Sequence, residues 1–185
     1  MIERLLIEHC SPTLAGIKTA GMFNCPIYSE YELRENLRKL NAGLNSKDVY
    51  IDVLRISSAG ALIFAYRKQM LESALKNSDV TAFLISCGYE NNSVLYCIEY
   101  LKNRIARASE FPHEIGVFLG YPLQDVTGFI KNGGKNSRCT GLWKVYCNEE
   151  QATFLFRQYK ECKKIYMKHY SQGRSISQLT NSCLI

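Results

Sequence analysis

The stretch Glu110–Tyr146, EFPHEIGVFLGYPLQDVTGFIKNGGKNSRCTGLWKVY, holds two of the chain's four prolines, one of its three histidines and its single tryptophan. Its local chemistry reads helix, helix, glycine loop, strand. Pro112 and Pro122 suit first helical positions, where a missing N–H leaves no bond unmade, and Gly120 suits a left-handed C-terminal cap. The pattern predicts a helix from about Pro112 to Leu119 that buries Ile115, Phe118 and Leu119. A second, from Pro122 to about Lys131, would bury Val126, Phe129 and Ile130. Asn132-Gly133-Gly134-Lys135-Asn136 then breaks all periodicity. Leu142-Trp143-Lys144-Val145-Tyr146 alternates like a strand, with Leu142, Lys144 and Tyr146 on one side and Trp143 and Val145 on the other.

On the N-terminal side, Lys68 to Ala108 is helical in pattern throughout. Three pieces are marked by Met70 to Leu75, by Val80 to Cys87 before Gly88, and by Val94, Ile98, Leu101 and Ile105 with Ser93 as cap. Before them, Val49 to Ile56 and Ala61 to Arg67 are β-rich runs joined by Ser57-Ser58-Ala59-Gly60, the pattern of a hairpin with a four-residue loop. ALIFAY, apolar on both faces, reads as the central strand. Ser29 and Glu32 form a capping box for a helix with Leu33, Leu37, Leu40 and Leu44 on one face. Gly21 to Tyr28 reads as a strand, and Pro26 suggests an edge position or a bulge. At the N-terminus, Ile2, Leu5 and Leu6 predict a helix ending near His9-Cys10, with Ser11-Pro12 opening a second short helix through Lys18.

On the C-terminal side a long helix is expected from about Glu149 to Gln172. Leu155, Tyr159, Cys162, Tyr166 and Tyr170 would form its packed face and Arg157, Lys160, Lys164 and Lys168 the opposite one. Six cations against Glu161 between Arg157 and Arg174 account for nearly all of the net charge of +6. Charge along one helix is what a solvated face shows, so nucleic acid is not the expected partner. The sum is an α+β fold: a small, mainly antiparallel sheet of about three to four strands, flanked by several helices, with a long C-terminal helix. A chain of 185 residues, 46% hydrophobic and 22% charged, suffices for one well-filled core. The expectation is a single globular domain over 1–175 and a flexible tail over 176–185.

No apolar run approaches the roughly 20 residues of a membrane helix, and MIERLLIEHC lacks a signal-peptide pattern. A cytoplasmic protein without a membrane partner is therefore expected. Its eight cysteines then read as reduced thiols: no Cys-x-x-Cys occurs, and Cys87, Cys97 and Cys162 fall on apolar helix faces. Cys183 is third from the end, where a prenylation box requires the fourth position.

Three clusters carry chemistry. His9-Cys10-Ser11 would lie at a helix N-terminus, where the partial positive charge favours a thiolate or an anion. His113 with Glu114 opens the first central helix, and Cys139 with Lys144 follows the glycine loop. Imidazole, thiolate and carboxylate are metal ligands, so His9, Cys10, His113 and Cys139 are candidates for a metal, and Cys with His is also the minimum for thiol catalysis. Each cluster also has a plainer reading: His9 and Cys10 as packing between helices, His113 as a packing residue with Glu114 satisfying first-turn N–H groups. Arg55, Arg67 and Lys144 could hold a carboxylate or phosphate, or be buried in ion pairs. Gly133-Gly134-Lys135 lacks Walker spacing and precedes a strand, so it reads as a turn.

HCSPTLAGIK at 9–18, FPHEIGVFLGYPLQDVTGF at 111–129, CTGLWKVY ending at Tyr146 and RSISQL after the basic helix resemble a bacterial family, domain of unknown function 3793. The resemblance spans nearly the whole chain and implies an anaerobic setting, consistent with reduced cysteines. It makes His9, Cys10, Ser11, Lys18, His113, Glu114, Cys139, Trp143 and Lys144 the family-type positions here. It brings no activity with it.

The expectation is therefore a protein that binds a small molecule, an anion, a metal or a haem-like redox cofactor at a site built from the HCSP and FPHE motifs. His9, Ser11, Lys18, Arg67, Trp143 and Lys144 would hold the ligand. The alternative is a hydrolase or transferase with Cys10 as nucleophile, His113 as base and Glu114 beside it. Nucleic-acid binding through the basic helix comes third. The cofactor's identity and the oligomeric state stay open.

Overall fold

The computed structural model describes residues 2–27, 29–107 and 110–181. In chain order the elements are α1 (Ile2–Leu14), β1 (Ala20–Cys25), α2 (Glu30–Leu44), β2 (Val49–Ser57), β3 (Gly60–Arg67), α3 (Lys68–Leu75), α4 (Ser78–Ser86), α5 (Val94–Arg107), α6 (Ile115–Phe118), α7 (Leu123–Lys131), β4 (Cys139–Thr140), β5 (Lys144–Val145), α8 (Glu149–Ser171) and α9 (Ile176–Leu179). The fold is α+β. Two compact units form, one from residues 1–71 with 162–185 and one from 72–161.

In the first unit an antiparallel sheet runs β1-β3-β2. The central β3 is buried from Ala61 to Arg67, as its run of apolar residues requires when both faces are covered. β1 sits at the edge, and Pro26 directly after it withholds a donor that no further strand would use. In β2, Val53 pairs with Ile63 and Arg55 with Leu62. Leu54 is thus the extra residue of a bulge, and its side chain is buried. Ser57 pairs with Gly60, so the hairpin loop is Ser58-Ala59, shorter than the four residues expected. Gly60 allows this: its φ is +119°, and a Cβ there would meet the Cys25 carbonyl at 2.5 Å.

α2 begins where the sequence places it. Ser29 Oγ accepts from the Glu32 N–H at 3.3 Å, and Leu33, Leu37, Leu40 and Leu44 are buried in the core. Each such leucine contributes about 2 kcal/mol relative to an exposed one. Asn41 locks the helix to β2, donating to the Ile51 carbonyl and accepting its N–H, both at 2.8 Å. Cys162 and Tyr166 of α8 and Ile176 and Leu179 of α9 complete this core.

Two further expectations change in this unit. Ser11-Pro12 does not start a helix, because α1 continues through it to Leu14. Ser11 Oγ, instead of capping, donates back to the Ile7 carbonyl one turn earlier, and Gly16, at φ +82°, ends the helix in the left-handed region. Residues 176–181, expected as flexible tail, instead form α9, with a full capping box between Ser175 and Gln178. Burial of Ile176 and Leu179 supplies the stabilisation that a four-residue helix lacks alone. Tyr28, Ala108 and Cys183 lie outside the described residues.

The second unit holds α4 to α7, the β4–β5 ladder, the end of α3 and the start of α8. Asn77 Oδ1 caps α4, accepting from Asp79 and Val80 N–H at 3.0 and 3.2 Å. Tyr89 packs against Tyr100 and Phe118, with ring centroids 4.4 and 5.9 Å away. The first central helix is shorter than expected. Pro112 to Glu114 make only turn-type bonds before α6, such as Gly116 N–H to the His113 carbonyl at 3.2 Å. In α7 the buried positions are Asp125 and Val126, whereas Ile130 is exposed. The expected strand at 142–146 contracts to Lys144–Val145 paired with Cys139–Thr140. Its alternation holds, with Trp143 and Val145 buried and Leu142 and Lys144 exposed. No helix among the described residues is long and apolar enough to cross a membrane.

Candidate functional site

The HCSP motif lies within the first unit, where Cys10, Ser11 and Pro12 are buried and His9 is exposed. Cys10 and Ser11 are fully buried, and His9 stacks on Phe23 at 5.5 Å. Cys10 Sγ fills the space that Gly21 leaves on β1, where a Cβ would lie 2.7 Å from the sulfur. Burial pushes its thiol up to about 12, against the pull of Lys18. Burial also brings half-buried Lys18 down to about 8. The helix N-terminus expected to favour a thiolate is not at this position: Cys10 sits inside α1, away from its free N–H groups, in a medium that disfavours charge.

Among the described residues Arg67 makes no ion pair, and its guanidinium is engaged by neutral acceptors. Its guanidinium donates to the carbonyls of Thr13 (2.7 Å), Leu14 (2.5 Å) and Lys47 (3.2 Å) and to Asn181 Oδ1 (2.5 Å). Two of these are terminal carbonyls of α1, so Arg67 is its C-terminal cap. Arg55 is exposed on β2 beside the bulge. Along α8, Arg157, Lys160, Lys164 and Lys168 are exposed on one face and Tyr159, Cys162 and Tyr166 are buried on the other.

Glu114, His113, Cys139, Trp143 and Lys144 lie in the second unit. Glu114 is buried, paired with Arg104 Nε at 2.5 Å and accepting from Tyr89 Oη at 3.4 Å. This carboxylate is committed to joining α5 to the turn before α6, and it leaves the first-turn N–H groups uncapped. Cys139 is half-buried on β4. Burial raises its thiol, and the nearby charges of Glu149 and Asp125 add to the effect. Among the described residues no group of three or more His, Cys, Asp and Glu side chains is arranged to hold a metal ion.

His113, Trp143 and Lys144 do share a site. They line an open cavity of about 290 Å³ bounded by α6, α7 and the β4–β5 hairpin. Tyr121 stacks on Trp143 at 4.7 Å and 23°, and Phe156 meets the indole edge-on at 4.5 Å. Phe129 carries His113 against its ring at 4.9 Å. Small residues make room for these rings. A Cβ on Gly116 would lie 2.7 Å from Val126 and one on Gly141 would run into the Phe156 ring.

The framework residue that sequence reasoning missed is Asp125. It is buried in the first turn of α7 and accepts from Trp143 Nε1 at 2.8 Å, Tyr146 N–H at 2.7 Å and Cys147 N–H at 3.0 Å. One carboxylate thus fixes the indole and the strand leaving the hairpin. Lys144 Nζ donates to the Gly134 carbonyl at 2.6 Å, holding the loop whose Gly133 and Gly134 have φ of +54° and +71°. An ammonium has three donors, so two remain beyond that bond. His113 is exposed, and its only partner among the described residues is the Phe129 ring.

Asp125 could have been suspected as an acid in a helix first turn; its tertiary partners are not written in spacing. Tyr121, between Gly120 and Pro122, carries no local signal of its stacking.

No curated protein and no solved structure matches this chain. The match to the family described as protein of unknown function (DUF3793) spans residues 6–180, and the chain belongs to that family.

Proposed function

We propose that this chain is a small-molecule-binding protein whose site is the cavity between α6, α7 and the β4–β5 hairpin. The observation that carries this reading is that the cavity gathers residues of the FPHE and CTGLWKVY motifs around aromatic walls, with the polar groups of His113 and Lys144 not fully used by the fold. Its volume, about 290 Å³, stands at the lower end of the roughly 300–1,000 Å³ of ligand pockets. That suits a molecule of one or two rings. The HCSP motif does not enter this site, and the buried, protonated thiol of Cys10 gives a nucleophilic mechanism no support.

Trp143 is the sole tryptophan, so its fluorescence reports on this cavity alone. A fragment library screened by that signal is expected to yield binders whose affinity falls at least about tenfold in Thr140→Phe, a substitution at the exposed cavity rim. A library without binders, or binders indifferent to Thr140→Phe, overturns the proposal.

A further inference from the structure

We infer that the occupant of this cavity is a small organic anion, an apolar ring bearing a carboxylate. The inference rests on the binding reading above and adds the ligand's charge. Three charged or chargeable side chains line the cavity: Asp125, His113 and Lys144. Asp125 is spent, because both of its oxygens accept N–H bonds and it is only 2% exposed. Those N–H donors stabilise the carboxylate without cancelling its charge, and they leave it buried with its hydrogen bonding turned into the fold. Lys144 keeps two of its three donors beyond the bond to Gly134, and it has no carboxylate partner among the described residues. His113 presents an imidazole whose nitrogens take no hydrogen bond among the described residues.

The polar capacity left over is thus the two remaining donors and fixed positive charge of Lys144, the His113 ring nitrogens, one donor and one acceptor in a neutral imidazole, and the Thr140 hydroxyl. A neutral apolar ligand would leave these donors unmatched, and a cationic one would meet Lys144 with like charge. A carboxylate can accept from both Lys144 and His113, and charge-assisted bonds of this kind are about twice as strong as neutral ones. Most of the remaining wall is apolar, with rings of Tyr121, Phe129 and Trp143 beside Ile115, Val126 and Leu142, against which a flat apolar body buries its area.

Three probes of one shape separate the possibilities: benzoate, benzamide and benzylamine, titrated into the full chain with Trp143 fluorescence and the indole N–H resonance as readouts. Benzoate is expected to bind about tenfold tighter than benzamide, with benzylamine weakest. Lys144→Met is expected to bring benzoate down to the benzamide level, and Lys144→Arg to keep the preference. If benzamide or benzylamine binds as well as benzoate, the anion inference falls while the cavity remains a binding site. If no probe perturbs Trp143, the inference and the binding reading both fall. The wild-type comparison needs no variant, so a poorly folding Lys144→Met protein leaves the test intact.

Discussion

Replacing Asp125 tests how the site is held together. Its carboxylate takes three N–H groups, from Trp143, Tyr146 and Cys147, at 2.7 to 3.0 Å, and is 2% exposed. A hydrogen bond to a charged group contributes about 1.5–3 kcal/mol, and a buried donor left alone costs about 1–3 kcal/mol. The three bonds share one acceptor and do not add fully, so Asp125→Ala is expected to destabilise by about 3–5 kcal/mol. Asp125→Asn is more selective. An amide keeps one acceptor oxygen and turns an NH₂ toward the other side, so in either orientation at least one donor faces a donor. The expected cost is about 2–3 kcal/mol. Urea unfolding followed by Trp143 fluorescence reads both variants. With a slope of about 2 kcal/mol/M, Asp125→Ala lowers the midpoint by about 2 M and Asp125→Asn by about 1 M, at unchanged slope. A loss below about 0.5 M for Asp125→Ala would show that the carboxylate is not the organiser of the hairpin.

Arg67→Met removes four hydrogen bonds, two at the end of α1 and one each to Lys47 and Asn181, and is expected to cost about 3–5 kcal/mol, with Arg67→Lys intermediate, by urea unfolding followed by far-UV circular dichroism. Gly141→Ala puts a methyl group into the Phe156 ring. A cost of about 1–3 kcal/mol and a shifted Trp143 emission are expected; unchanged emission would mean that Phe156 does not press on the indole. Cys10 should resist thiol reagents in the folded chain. Because burial raises its thiol from 9.0 to about 12, the folded state holds this proton more tightly than the unfolded state. Its contribution is whole below pH 9 and declines as pH rises toward 12, at up to about 1.4 kcal/mol per pH unit. Cys10→Ala should lose that part of the alkaline slope, as measured by urea midpoints between pH 9 and 11. Identical slopes would count against a buried protonated thiol.

The sequence was most legible where a pattern is local and repeated. The four leucines of α2 with Ser29 as cap, the doubly apolar β3 and the 23-residue α8 are all dictated by periodicities of 3.6 or 2. It misled where two local rules competed. Ser-Pro is a helix start in isolation, yet burial of Cys10, Ser11, Pro12, Thr13 and Leu14 carries α1 through it. Residues 176–181, expected as part of a tail because they lie near the terminus, are fixed by Ile176, Leu179 and the Arg67–Asn181 bond, a contact across 114 positions. The site was half legible. His113, Trp143 and Lys144 were singled out and share a cavity; Cys10, Ser11 and Arg67 were singled out by the same residue chemistry and are buried in the first unit, with His9 exposed beside them. Residue type alone cannot separate an arginine that caps a helix from one that awaits a carboxylate. Asp125 and Tyr121 owe their roles to packing partners that no spacing encodes.

The most direct test of the central claim is a ¹H–¹⁵N NMR titration of the intact chain with the tightest fragment from the screen. The account predicts saturable shifts at the Trp143 indole N–H and at the amides of Gly116, Thr140, Gly141 and Lys144. Saturable shifts confined to residues of the first unit, with the indole resonance unmoved, would contradict it.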